Sequence, residues 1–184
     1  MANMEIAKGD GRMAAVDAAA VDELKSQLQG TLLQPGDGGY DEARTIWNDM
    51  IDRRPAVIAS CANAADVQRT VAFAAAHGLL LAVRGGGHNI AGYAVCDRGL
   101  MIDLSPMKAV KVDLKAQRAS VEAGATLGDV DQGTQAHGLA TPLGINSTTG
   151  VAGLTLGGGF GWLSQTAVRR RQVRRVQRIM QPRR

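Results

Sequence analysis

The 184 residues carry 45% hydrophobic and 21% charged side chains, the balance of a soluble globular chain that can bury about 70% of its unfolded surface without staples. Only 3% are aromatic, whereas 23 residues are glycine. The formal net charge of +4 belongs to the last sixteen residues, where eight arginines lie between Arg169 and Arg184; no acidic residue follows Asp131, and the rest of the chain holds 13 basic against 17 acidic residues, which excludes a basic body built to coat nucleic acid.

No stretch approaches the about 18 consecutive apolar residues of a membrane span. The opening MANMEIAKGDGRM lacks the apolar core of a signal peptide. A cytoplasmic protein with no membrane partner is expected. Cys61 and Cys96 are far apart, with no CxxC pair and no histidine at ligand spacing, so they are read as reduced, buried thiols and no metal site is expected.

In chain order, Val21, Leu24 and Leu28 repeat at helical spacing, which predicts a helix over Ala14–Gln29 with Gly30 as its cap. Residues 1–39 are thus expected to form an N-terminal helical extension. Gly36–Gly39 is a turn, and Ala43–Ile51 a short helix ended by Arg54–Pro55. Ala56–Ala59 predicts a short strand. Ser60 or Asn63 can cap a helix to about Ala76, with Val67 and Val71 on one face. Leu79–Val83 is a continuous apolar run of the kind found in buried parallel strands. This β-α-β unit leads into Arg84-Gly-Gly-Gly-His-Asn89. Beyond it, Gly99–Leu104 predicts a strand, Ala109–Asp113 and Ala119–Ala123 an antiparallel pair, and Thr126 the cap of a helix over Leu127–Ala136. His137 is read as an ordinary histidine at that helix end.

Two glycine-dense stretches carry chemistry. In Arg84–Tyr93 (RGGGHNIAGY), glycines at a strand end let backbone N–H groups approach an anion closely. This is not a GxGxxG fingerprint, because Ile90 stands where the third glycine would fall and no helix follows. The second stretch, Pro142–Ser164 (PLGINSTTGVAGLTLGGGFGWLS), is poor in bulky polar side chains and suits backbone lying flat against a large planar ligand.

Taken together and in this order, the two stretches resemble the FAD-linked oxidases with a PCMH-type, vanillyl-alcohol-oxidase-like flavin domain, and within them the berberine-bridge-enzyme-like group. The similarity runs from about Tyr40 to Ser164. It implies an α+β fold: a small β-α-β subdomain followed by a mainly antiparallel α+β subdomain, with residues 40–164 as an incomplete FAD-binding domain and 165–184 as a basic tail outside the family pattern.

The resemblance further implies that Arg84, Gly85, Gly86, Gly87, His88 and Asn89 wrap the FAD diphosphate. His88 would bond covalently to the flavin, since a neutral imidazole can add to an electrophilic carbon and the cationic substituent makes the flavin a stronger oxidant. Gly144, Thr148, Thr149, Gly150, Val151 and Gly153 match positions that contact the ring system or the diphosphate, Thr149 near the position expected to govern oxygen access. Many members carry a second link through a cysteine; here Asn146 occupies that place, so attachment through His88 alone is expected. The family reaction is oxidation of an alcohol, sugar or amine carbon by hydride transfer to FAD. No catalytic base is assigned in this chain, which is expected to be inactive as a truncated fragment.

The arginine-rich end has three readings: an amphipathic helix docking a partner through Val173, Val176 and Met180, an arm binding nucleic acid, or an out-of-frame extension after truncation. The absence of aromatics for base stacking makes nucleic acid an unexpected partner. The alternative to the flavoenzyme reading is a non-enzymatic module binding nucleic acid or a protein through this tail.

Overall fold

A computed structural model describes residues 3–163 and divides the chain into two units, one ending at Met107 and one beginning at Lys108. The readings of the arginine-rich end fall outside the described residues.

The first unit opens with a hairpin rather than a helix. Strand β1 (Asn3–Ala7) pairs antiparallel with β2 (Met13–Asp17), and each turns one large side chain inward, Ile6 and Val16. The helix expected from Ala14 begins at Ala18: α1 spans Ala18–Gln27, capped by the Asp17 carboxylate, which accepts the N–H of Ala19. The N-terminal residues are therefore not helical throughout, because Ala14 and Ala15 are drawn into the ladder opposite Ile6 and Glu5. After β3 (Thr31–Leu33) comes α2, at Tyr40–Arg44 rather than the predicted Ala43–Ile51. The Tyr40 hydroxyl, buried, donates to the Pro55 carbonyl at 2.6 Å and anchors that shorter helix.

The sheet contains β4 (Val57–Ser60), β5 (Leu81–Arg84) and β6 (Leu100–Asp103) in the order β3-β4-β6-β5. Strand β6 lies between β4 and β5 and runs parallel to both, while β3 joins the edge antiparallel. Both faces of the centre are covered, which explains the uninterrupted apolar runs. Val57, Ala59, Leu100 and Ile102 pack with Val21 and Leu24 of α1; Ile58 and Met101 pack on the other face with Tyr40 and Val95. Helix α3 (Ala64–His77) crosses from β4 to β5. Its N-cap is Asn63, whose side chain accepts the Asp66 N–H, and Gly78 ends it in the left-handed region at φ +64°.

In the second unit, β7 (Val110–Asp113) and β8 (Arg118–Val121) form the expected antiparallel pair, and α4 (Leu127–Gln135) starts with a capping box between Thr126 and Asp129. A small core joins Leu127, Val130 and Val151 to the flanking Val110, Val121, Leu143 and Leu154. The second glycine-dense stretch is not extended throughout: Val151–Leu156 is a short helix, α5. Among the described residues, no helix is long and apolar enough to cross a membrane.

Candidate functional site

Arg84–Asn89 leaves the sheet at the carboxyl end of its parallel strands, the end where open α/β sheets receive ligands. Three strand ends meet there. Asp103, buried at the end of β6, lies opposite Ser60 on one side and Arg84 on the other. Its carboxylate accepts the hydroxyls of Ser60 at 3.3 Å and Ser105 at 2.7 Å.

The Arg84 side chain folds back under its own loop. Its Nη1 donates to the Ala43 carbonyl of α2 at 2.8 Å and lies 3.7 Å from the Asp103 carboxylate. Its Nε is buried with no hydrogen-bond partner among the described residues. Directly above, Gly87 takes φ +70°, and a Cβ there would come within 3.3 Å of that Nε. Glycine is therefore required at 87 by conformation and by the guanidinium beneath it. Gly85 and Gly86 form the half-buried bend that leads into it.

His88 follows, half-buried, and burial lowers its pKa, favouring the neutral ring. The Trp47 indole stacks on the imidazole with centroids 5.4 Å apart and planes at 23°. Asn89 closes the loop: its carbonyl accepts the Gly92 N–H and its side chain the Tyr93 N–H, each at 3.0 Å.

The second group of predicted residues gathers in one turn of the second unit. The Asn146 side chain accepts both the N–H and the hydroxyl of Thr148, at 3.1 and 2.9 Å, and its carbonyl accepts the Thr149 N–H at 3.0 Å. Asn146 is thus a turn-former. The Thr149 carbonyl accepts the Leu127 N–H, and Gly150 bridges to Thr126 while standing at the start of α5. Val151 is buried in the small core. A Cβ at Gly144 would lie 2.8 Å from a Leu154 methyl and 2.9 Å from a Leu127 methyl, so a larger residue there requires those side chains to shift. Gly153 faces open space.

Residues 55–181 match the family model described as an FAD binding domain, so the chain belongs to that family and has the α+β, PCMH-type flavin-binding fold. The match continues past Ser164. Among its relatives are FAD-linked oxidoreductases: it is 38% identical over 137 residues to (R)-6-hydroxynicotine oxidase of Paenarthrobacter nicotinovorans, covering 74% of this chain and 30% of that protein. The crystal structure of 6-hydroxy-D-nicotine oxidase from Arthrobacter nicotinovorans superposes with a TM-score of 0.75 at 37% identity, over 77% of this chain and 31% of that one. The BBE-like 1 protein of Physcomitrella patens gives a TM-score of 0.73 at 28% identity, over 83% and 33%. The chain therefore spans about a third of the length of the relatives it matches.

The residues present suit FAD. A loop without side-chain bulk leaves the carboxyl end of parallel strands, a buried guanidinium nitrogen beneath it lacks a partner, and the histidine beside it is biased toward its neutral form. Sequence reasoning missed Trp47 and Asn48. Their approach to the loop is non-local, and the one available signal was that Trp47 is an aromatic residue in a chain with few of them.

Proposed function

We propose that this chain supplies the FAD-holding part of a flavin-dependent oxidoreductase acting on an alcohol, sugar or amine carbon, with the flavin tied covalently to His88. The observation that carries the reading is the half-buried imidazole, biased toward its neutral form, set directly after a glycine loop at the carboxyl end of three parallel strands.

FAD, when bound, accepts a hydride from the substrate carbon and passes its electrons to oxygen or another acceptor. The chain's own residues bind and orient it. Gly85, Gly86 and Gly87 leave backbone N–H groups free of side-chain bulk near the diphosphate, and Asn89 fixes the exit of that loop. Arg84 adds positive charge from beneath. Gly144, Thr148, Thr149, Gly150, Val151 and Gly153 are the other FAD-contacting residues of this reading, and Asn146 in the turn leaves His88 as the single attachment. No residue of this chain is assigned as the base for substrate oxidation, so the chain alone is expected to hold FAD without turnover.

The test is retention of flavin after denaturation. Chain incubated with FAD, then denatured and stripped of free cofactor, should keep flavin absorbance; His88→Ala should lose it. Retention by His88→Ala equal to the parent chain would remove the assignment, and oxidase turnover by the chain alone would remove the claim of inactivity.

A further inference from the structure

The segment after α2 grips the loop on both sides of His88. Upstream, the Trp47 N–H donates to the Gly87 carbonyl at 3.1 Å. Downstream, the Asn48 side-chain amide donates to the Ile90 carbonyl at 2.8 Å. Below, Arg84 ties the loop's first residue to Ala43. These contacts place the backbone on either side of His88 against residues about forty positions earlier, and the Trp47 ring then covers a face of the imidazole.

We propose that Trp47 is a positioning residue for His88: its N–H sets the backbone before the histidine, and its indole holds the plane of the imidazole in one orientation for bonding to the flavin. The proposal rests on the reading of His88 as the attachment point.

The chemistry needs such a device. Attachment breaks one C–H bond of the flavin methyl carbon and the imidazole N–H and makes one N–C bond. Two electrons and two protons are left on the flavin ring for oxygen to remove. The reacting nitrogen must lie in the line of that carbon, and a misplacement of about 1 Å costs on the order of 100-fold in rate. A half-buried imidazole has two rotatable side-chain bonds, and their settings aim its ring nitrogens. The stacked indole narrows the range of both. Trp47 is 58% exposed, so its replacement leaves the buried core of the unit intact.

The test compares Trp47→Ala, Trp47→Phe and His88→Ala with the parent chain incubated with FAD. Two quantities are followed: the rate at which flavin becomes resistant to denaturation, and the dissociation constant of FAD bound before that step. Trp47→Ala is expected to slow incorporation about 10-fold while shifting the dissociation constant no more than about twofold; Trp47→Phe, which keeps an aromatic face, should restore most of the rate. NMR of the FAD-free variants supplies a readout independent of flavin: the His88 ring protons should lose their ring-current shift in Trp47→Ala and keep much of it in Trp47→Phe. Parent-like incorporation in Trp47→Ala overturns the role of Trp47 and leaves His88 untouched. Flavin retained by His88→Ala, or none retained by the parent chain, overturns the attachment point and the positioning role with it.

Discussion

The carboxylate of Asp66 receives the backbone N–H of Gly30 at 2.9 Å, across thirty-six residues of sequence. The same side chain accepts the N–H groups of Gln29 and Ala62, each at 3.0 Å. One fully buried carboxylate therefore fastens the chain after α1 to the start of α3. Burial works to raise its pKa, but the three backbone donors outweigh burial and hold it below the ordinary carboxylate value. Asp66→Ala should cost about 3 kcal/mol or more, since it strands buried donors. The sign of the pH effect follows: a depressed folded pKa stabilises fully above the unfolded value and loses that contribution as pH falls through the folded one. Urea unfolding at neutral and acid pH should find the parent chain losing more stability on acidification than Asp66→Ala.

His88 runs in the same pH direction for a different reason. Burial depresses its pKa from the ordinary value of 6.5, so the neutral ring is favoured in the folded state and protonation opposes folding. Its contribution is whole above the unfolded value and declines as pH falls toward the folded one. In a Trp162→Phe background Trp47 is the sole tryptophan, and the stacked imidazole should quench its emission on gaining a proton. The midpoint of that titration is expected below 6.5; one at or above 6.5 would contradict a desolvated ring.

Gly144 and Gly153 separate packing from ligand contact. A methyl group at 144 meets Leu154 and Leu127 at under 3 Å, so Gly144→Ala should cost about 1–3 kcal/mol as those side chains shift. At 153 it meets nothing within 4 Å, and the residue lies inside α5. Gly153→Ala should therefore leave stability unchanged or raise it by about 0.5–1 kcal/mol. If the backbone at 153 lies against FAD, the same substitution should weaken FAD binding, and calorimetry beside thermal unfolding reads both.

Cys61 and Cys96 are free and buried, and burial pushes each thiol up to about 11. Neither presents thiolate at neutral pH. Thiol reagents should modify both only after unfolding, at matching rates. Because the folded pKa is raised, the neutral thiols stabilise fully below the ordinary value of 9.0, and that contribution fades as pH climbs toward 11. Rapid labelling of either residue in the native chain at pH 7 would count against the burial described above.

Local signals were legible in the sequence where a single residue type carries them. Thr126 caps the helix it was expected to cap, Asn63 is the one of the two candidates, Ser60 and Asn63, that caps α3, and the β7–β8 pair follows its alternation. The N-terminal hairpin was not legible, because Ala14 and Ala15 read as helix formers until the ladder to β1 decides otherwise. Helix α2 was displaced because Tyr40 is anchored by a carbonyl fifteen residues on, which no periodicity encodes. Glycine spacing marked the Arg84–Asn89 loop but carried no information on where the Arg84 side chain lies, which its contacts to Ala43 and Asp103 decide.

Placing β6 between two earlier strands has a consequence for assembly. As the chain emerges, β4 and β5 both precede their shared neighbour, and neither hydrogen-bonds to the other in the finished sheet. The two join into one sheet only through Leu100–Asp103, while β4 also holds β3 on its other edge. The glycine loop leaves β5 and the chain returns as β6, so the shape of that excursion depends on the later strand, and the Leu104 N–H, donating to the Arg84 carbonyl, ties its two ends together.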